Sequence, residues 1–249
     1  MIITTIKTKP ITYPSESIFA ILDQYLPPIK EKSIVVITSK ILAISQGRVV
    51  KNDEHISKEQ LIRKEAEYYL PEKPHPNVTL TVKNNILIAS AGIDESNGAG
   101  YFILWPENIQ ETTNTIRAYL VKKYPLRNLG VLITDSHLTP MRTGTIGLGL
   151  AHSGFAALHN YIGEPDVFGK KLTVTQHSII DGLAGASVVV MGEGREQTPL
   201  AVITDIPFVR FQSKNPTKKE LANLRISLDE DIFGAILTYS KLKKGQGKM

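Results

Sequence analysis

Asp94 and Glu95 stand together in the stretch Ala89-Ser90-Ala91-Gly92-Ile93-Asp94-Glu95-Ser96-Asn97, where an apolar strand predicted over residues 86–89 runs out into polar side chains. Carboxylates backed by a hydroxyl and an amide supply oxygen ligands, which suit magnesium or manganese better than a soft metal. The same residues also describe a capped turn, with Asp94 or Ser96 accepting backbone N–H groups. A second carboxylate, Asp135, follows the apolar run Val131-Leu132-Ile133-Thr134 and precedes Ser136 and His137. If the two strand ends are neighbours, Asp94 and Asp135 can share a cation. A third, Glu193, sits between Gly192 and Gly194 after Val188-Val189-Val190-Met191, read as another strand end. Flexible backbone there lets amides approach a phosphate, and the carboxylate adds a metal ligand.

Groups that bind anions accompany these carboxylates. Thr38-Ser39-Lys40 lies at a strand-to-helix junction, where hydroxyls, an ammonium and helix N–H groups can meet phosphate; a serine cap beside a solvated lysine explains it as well. Arg142 opens a stretch containing Gly144, Gly147 and Gly149. A guanidinium on flexible backbone suits phosphate or substrate carboxylate, and the alternative is that the glycines relieve crowding between packed elements. The segment 163–171 is not a phosphate loop, because its spacing is one residue too long and Lys171 stands where Ser or Thr belongs. Gly192-Glu193-Gly194 lacks the third glycine of a dinucleotide fingerprint. Asp205, close before Pro207, reads as a turn residue, and His137 and His152 as packed side chains rather than bases.

Positioning these groups requires alternating strands and helices. Buried strands are predicted over 2–7, 33–38, 130–134, 172–176 and 200–204, and a hairpin over 78–82 and 86–89 turns through Asn84-Asn85. Helices are predicted over 16–26 with Ser15 as cap, and over 57–70 with a solvated face, ended by Pro71, Pro74 and Pro76. Others follow over 107–123, 178–187, 217–224 and 229–237. The fold class is α/β (α+β), with mixed sheets and packed helices in one domain or two intimately packed lobes. The end of the chain reads as a flexible basic tail, in which Lys241, Lys243, Lys244 and Lys248 cluster.

The 249 residues are 42% hydrophobic, enough for a sizeable core, and the net charge of +5 owes much to that tail. The basic residues are not interleaved with stacking aromatics, so no nucleic-acid surface is read. The absence of cysteine excludes disulfides, thiolate nucleophiles and Cys-based zinc sites. The first residues do not form a signal peptide and no apolar run is long enough for a spanning helix, so a soluble cytoplasmic protein is expected.

The segments SKIL…QGRVV, AGIDESN, ITDS, YIGEPDVFGKKL and MGEG, in this order and spacing, resemble the coenzyme F420-0:γ-glutamyl ligase family and its folate-metabolism relatives. The resemblance spans roughly residues 12–207. It implies a homodimer with a fold of its own, a catalytic domain over 1–207 and a helical extension over 208–249. It implies a GTP- or ATP-dependent ligase joining the α-amine of L-glutamate to the carboxylate of F420-0 or a folate through an acyl phosphate. Mg2+ or Mn2+ would fall on Asp94, Asp135, Ser136 and Glu193, with K+ a further candidate ion. Asn97, Ser39, Lys40, Met191, Gly192, Gly194, Arg195 and Thr198 fall on nucleotide-contacting segments. Three departures stand out: Ile44 replaces a lysine, Glu193 a glutamine, and Ser136-His137-Leu138-Thr139-Pro140-Met141-Arg142 replaces Phe-Gly-Arg-Pro-Trp-Arg and its leading residue. A non-catalytic nucleotide-binding relative and a two-metal phosphohydrolase are the competing classes.

Overall fold

The computed structural model describes every residue except Glu54, Lys73, Pro74, Pro76, Ser240, Lys241, Lys248 and Met249. Pro74 and Pro76, expected to end a helix, and Lys241 and Lys248 of the basic tail therefore lie outside the described residues. The elements run β1 (Ile2–Ile6), α1 (Ile18–Tyr25), β2 (Ser33–Thr38), α2 (Ser39–Ser45), β3 (Val49–Lys51), α3 (Lys58–Glu65), β4 (Tyr68–Tyr69), β5 (Leu80–Lys83), β6 (Ile86–Ala89) and β7 (Tyr101–Ile103). They continue with α4 (Ile109–Lys123), β8 (Leu129–Leu138), β9 (Thr145–Ser153), β10 (Leu158–Asn160), β11 (Gln176–Ser178), α5 (Ile179–Met191), β12 (Leu200–Thr204), α6 (Lys218–Ala222), α7 (Gly234–Tyr239) and β13 (Lys243–Lys244).

A five-stranded mixed sheet, ordered β1-β12-β2-β8-β9, organises the chain, and within it only β2 and β8 run parallel. Its central strands are apolar on both faces because both faces are covered. Val35, Ile37, Val131 and Ile133 pack with Leu22 of α1, Leu42 of α2 and Ile116 and Leu120 of α4. Ile34, Val36 and Leu132 point the other way, onto Ile180, Leu183 and Ala184 of α5. Mixed sheets with packed helices make the fold α+β.

A second, four-stranded sheet is ordered β13-β4-β5-β6, and β3 pairs with β7 in a two-stranded ribbon. The β5–β6 hairpin turns through Asn84 and Asn85, with φ of 52° and 62°, the left-handed pair that matches strand twist. It delivers the chain to Asp94.

Several elements differ from the sequence expectation, each for a tertiary reason. The first helix starts at Ile18, capped by Ser17 rather than Ser15. The helix predicted over 57–70 ends at Glu65, because Tyr68 and Tyr69 pair with Val82 and Thr81. Its face is not simply solvated: Glu65 receives Arg48 and Lys83, and Ala66 is buried. The strand predicted over 172–176 is irregular: a regular strand forms only over Gln176–Ser178, while Leu172 and Thr175 make isolated backbone bonds with 161–164. The run Val188-Val189-Val190-Met191 is the last turn of α5, which starts at the Ser178 cap and stops where Gly192 adopts φ 79°. Local β-propensity loses there to a helix already nucleated and packed. Glu193 accordingly follows a helix, not a strand.

The glycines of β9 match the crowding alternative. A Cβ on Gly147 would lie 2.3 Å from the Ala184 carbonyl oxygen, and one on Gly149 2.3 Å from Ile180 Cγ1. The segment expected to be a flexible tail instead adds β13 to β4, and Gly245 and Gly247 donate to the carbonyls of Glu67 and Ala66. Among the described residues no helix is long and apolar enough to cross a membrane.

Candidate functional site

The parallel register of β2 and β8 sets Thr38 beside Thr134, so Ser39-Lys40, where β2 ends, lies next to Asp135-Ser136, where β8 runs on against β9 alone. Ligands bind at the carboxyl ends of such parallel strands. A cavity of about 690 Å3 opens there. Ser39, Lys40, Asp94, Asn97, Asp135, Ser136, Met191, Gly192, Glu193, Gly194, Arg195 and Thr198 all line it. Residues far apart in sequence are thus brought to one place. Arg142 is not among the lining residues; it is exposed in the β8–β9 connection.

Asp94 reaches the cavity from the smaller sheet, held by reciprocal backbone hydrogen bonds with Ile103 of 2.9 and 2.8 Å. Its carboxylate accepts the Ser96 N–H at 2.7 Å and pairs with Lys40 Nζ at 2.5 Å. The capped turn is therefore present, and the Asp94 carboxylate also lines the cavity. Glu95 turns away, to Asn52 and Lys58. Lys40 also donates to the Ser96 carbonyl at 3.1 Å. Ser39 is buried as the first residue of α2, and the cap position is Thr38, which makes no side-chain cap bond.

Asp135 lies within β8, not at its end, because β8 continues to Leu138 against β9 past an irregularity between Ile133 and Thr134. Its Oδ1 accepts the Ser136 N–H at 2.9 Å, and its Oδ2 accepts the indole N–H of Trp105. Beside it Ser136 Oγ donates to Glu193 Oε1 at 2.6 Å, and Thr145 Oγ1 to the same oxygen at 3.2 Å. The 192–198 loop lines the cavity as well. Asn97 Nδ2 donates to the Gly194 carbonyl at 3.1 Å, and the Gly194 N–H to Glu196 at 2.8 Å.

The two aspartates are driven apart electrostatically. Burial pushes the Asp94 carboxyl up, but the Lys40 ammonium and the Lys40 and Ser96 hydrogen bonds outweigh it and hold it below the ordinary range. Burial dominates at Asp135 and, with the Asp94 charge adding, pushes it up to about 6 against the Ser136 and Trp105 bonds. Asp135 therefore holds its proton to higher pH than Asp94, chiefly because it is buried. The donors Asp94, Asp135, Ser136 and Glu193 are all oxygen, and in kind they fit a hard divalent cation. Among the described residues no three His, Asp or Glu side chains form a ready-made cluster.

Trp105 and Glu196 were missed from sequence. A lone tryptophan at the end of an apolar run carries no spacing signal. Only the antiparallel approach of Asp94 to Ile103 brings that run beside Asp135.

Fold and cavity together define an α+β protein whose main cavity is lined by Asp94, Asp135, Glu193 and Lys40. A family model described as F420-0:Gamma-glutamyl ligase matches residues 6–205. The Coenzyme F420:L-glutamate ligase of Methanococcus maripaludis (strain C7 / ATCC BAA-1331) is 33% identical over 221 residues, covering 83% of this chain and 86% of that protein. The protein of that name from Methanocaldococcus jannaschii is 32% identical over 223 residues, with the same shares. That from Methanopyrus kandleri is 32% identical over 175 residues, 70% of this chain and 68% of its own. The chain belongs to the F420-0:gamma-glutamyl ligase family, and it is an amide-bond-forming ligase.

Proposed function

We propose that this protein is a nucleotide-dependent γ-glutamyl ligase that joins L-glutamate to the carboxylate of F420-0. The observation that carries the reading is one cavity into which AGIDESN and ITDS present Asp94 and Asp135 beside Lys40. A carboxylate is a poor electrophile. Transfer of the γ-phosphoryl of GTP or ATP to an acceptor carboxylate oxygen releases the nucleoside diphosphate and leaves an acyl phosphate. The α-amine of glutamate then attacks the acyl carbon, phosphate leaves, and the amine nitrogen gives up a proton.

Lys40, the Ser39 N-terminus of α2 and the 191–198 loop bind and orient the nucleotide phosphates. Asp94 and Asp135, with Ser136 and Glu193, hold Mg2+ or Mn2+, which when bound offsets charge on the triphosphate and the transferring group. Glu193, in place of the family's glutamine, makes that set more anionic. Ile44 replaces a lysine and is buried against Ala43 and Ile103, so Lys40 and Arg195 supply the positive charge for the phosphates. The partners are small molecules, in a cytoplasmic homodimer without nucleic acid or membrane; K+ is a further ion to screen. The names of the relatives favour F420-0 over a folate as acceptor.

The test combines GTP or ATP, Mg2+ or Mn2+, L-glutamate and either F420-0 or a folate. Nucleoside diphosphate should form over many turnovers only when glutamate and an acceptor are both present, with a glutamylated product of matching mass. Phosphate release without acceptor would instead identify a phosphohydrolase. Tight nucleotide binding with no turnover on any acceptor would identify a regulatory relative.

A further inference from the structure

Trp105 is the chain's single tryptophan, 2% exposed, and its indole N–H donates to Asp135 Oδ2. Three elements hold it in place. Its carbonyl accepts Arg48 Nε at 3.2 Å, and Lys83 Nζ lies 5.6 Å from its ring centroid. Lys83 and Arg48 in turn converge on one oxygen of Glu65, at 2.7 and 2.8 Å. The third is Gly92 of AGIDESN, at φ 71°, where a Cβ would fall 2.1 Å from the indole nitrogen. The glycine is thus what lets the ring come up beside Asp135.

Among the described residues, the other oxygen of Asp135 is tied only to its own neighbour, the Ser136 N–H. That bond leaves the carboxylate plane dependent on the indole. We propose that Trp105 is a positioning residue for this reaction, fixing the Asp135 carboxylate for the cation while touching neither cation nor substrate. The proposal rests on the reading of Asp135 as a cation ligand. Partners of this kind, one step behind a ligand, change metal affinity by roughly 10- to 100-fold when removed.

Nuclear magnetic resonance of the 15N-labelled protein tests it, because a single tryptophan gives one indole N–H signal. The signal should move upfield in Asp135→Asn and stay in place in Asp94→Asn. Trace Mn2+ should broaden it in the wild type. Trp105→Phe should bind Mn2+ roughly 10- to 100-fold more weakly. In an Asp135→Asn background it should add no further loss, a coupling that a purely structural role would not produce. An indole signal indifferent to Asp135→Asn would overturn the proposal, even with broadening by Mn2+ intact. Additive effects of Trp105→Phe and Asp135→Asn would overturn it too. Failure of Mn2+ to broaden the wild-type signal would instead remove the cation reading, while the Asp135→Asn shift would still decide whether the indole fixes the Asp135 carboxylate. Should Trp105→Phe not fold, the Asp135→Asn shift, measured with Trp105 present, still decides.

Discussion

Asp135→Asn should reverse the usual relation between a functional residue and stability, and the sign follows from its surroundings. Asp135 is an acid pushed up from 3.8 to about 6 in the folded protein, mainly by burial. Below pH about 3.8 both folded and unfolded chains hold the proton and nothing is lost. As the pH rises towards 6 the unfolded chain ionises first, so wild-type stability falls; above 6 the loss is complete. The gap is worth at most about 3 kcal/mol, and less because Asp135 keeps some exposure to the cavity. Asparagine removes that penalty but turns an N–H2 towards either Trp105 or Ser136, losing a hydrogen bond worth about 1 kcal/mol. The variant should therefore be less stable than wild type near pH 4 and more stable, by about 1–2 kcal/mol, at pH 7.5. Urea unfolding of both proteins across this range, with chelator present, measures the difference. A difference independent of pH would refute the reasoning. Restoring Mg2+ and nucleotide should stabilise only the wild type, and the variant should not ligate.

Three other outcomes follow from named contacts. Lys40→Met removes the cation 2.5 Å from Asp94 and should weaken nucleotide binding at least tenfold, about 1.4 kcal/mol; unchanged titration calorimetry would take Lys40 out of the phosphate site. Gly92→Ala combines a positive φ with a clash on Trp105 and should destabilise the fold by about 2–4 kcal/mol in denaturant melts; a loss under about 1 kcal/mol would contradict this packing. His152 is 1% exposed and burial pushes it down to about 4. The unfolded chain takes its proton near 6.5 and the folded one does not. The His152 contribution to stability should thus fall by about 3 kcal/mol as the pH drops from 6.5 to 4, opposite in sign to that of Asp135, and His152→Leu, which also removes the unpartnered Nδ1, should lack that part of the slope.

The chain carries much of this in its sequence. Buried strands such as Ile34-Val35-Val36-Ile37 declare themselves because a strand covered on both faces must be apolar throughout. The Asn84-Asn85 turn and the amphipathic α4 are equally local, set by backbone conformation and by helical period. The carboxylates of AGIDESN and ITDS, with Lys40, are likewise legible as residue types, although Asp135 lies inside β8 and not at its end. What tertiary structure decided was their company. Whether Asp94 faces Lys40, which side of β9 needs glycine, and why Val188–Met191 is helix all depend on neighbours distant in sequence. Trp105 is the sharpest case: nothing in its flanking residues marks it, and only the pairing of Asp94 with Ile103 carries its indole to Asp135. Periodicity encodes which face is buried, but electrostatics and hydrogen bonding act over a few ångströms between chain segments, and sequence order does not contain those distances.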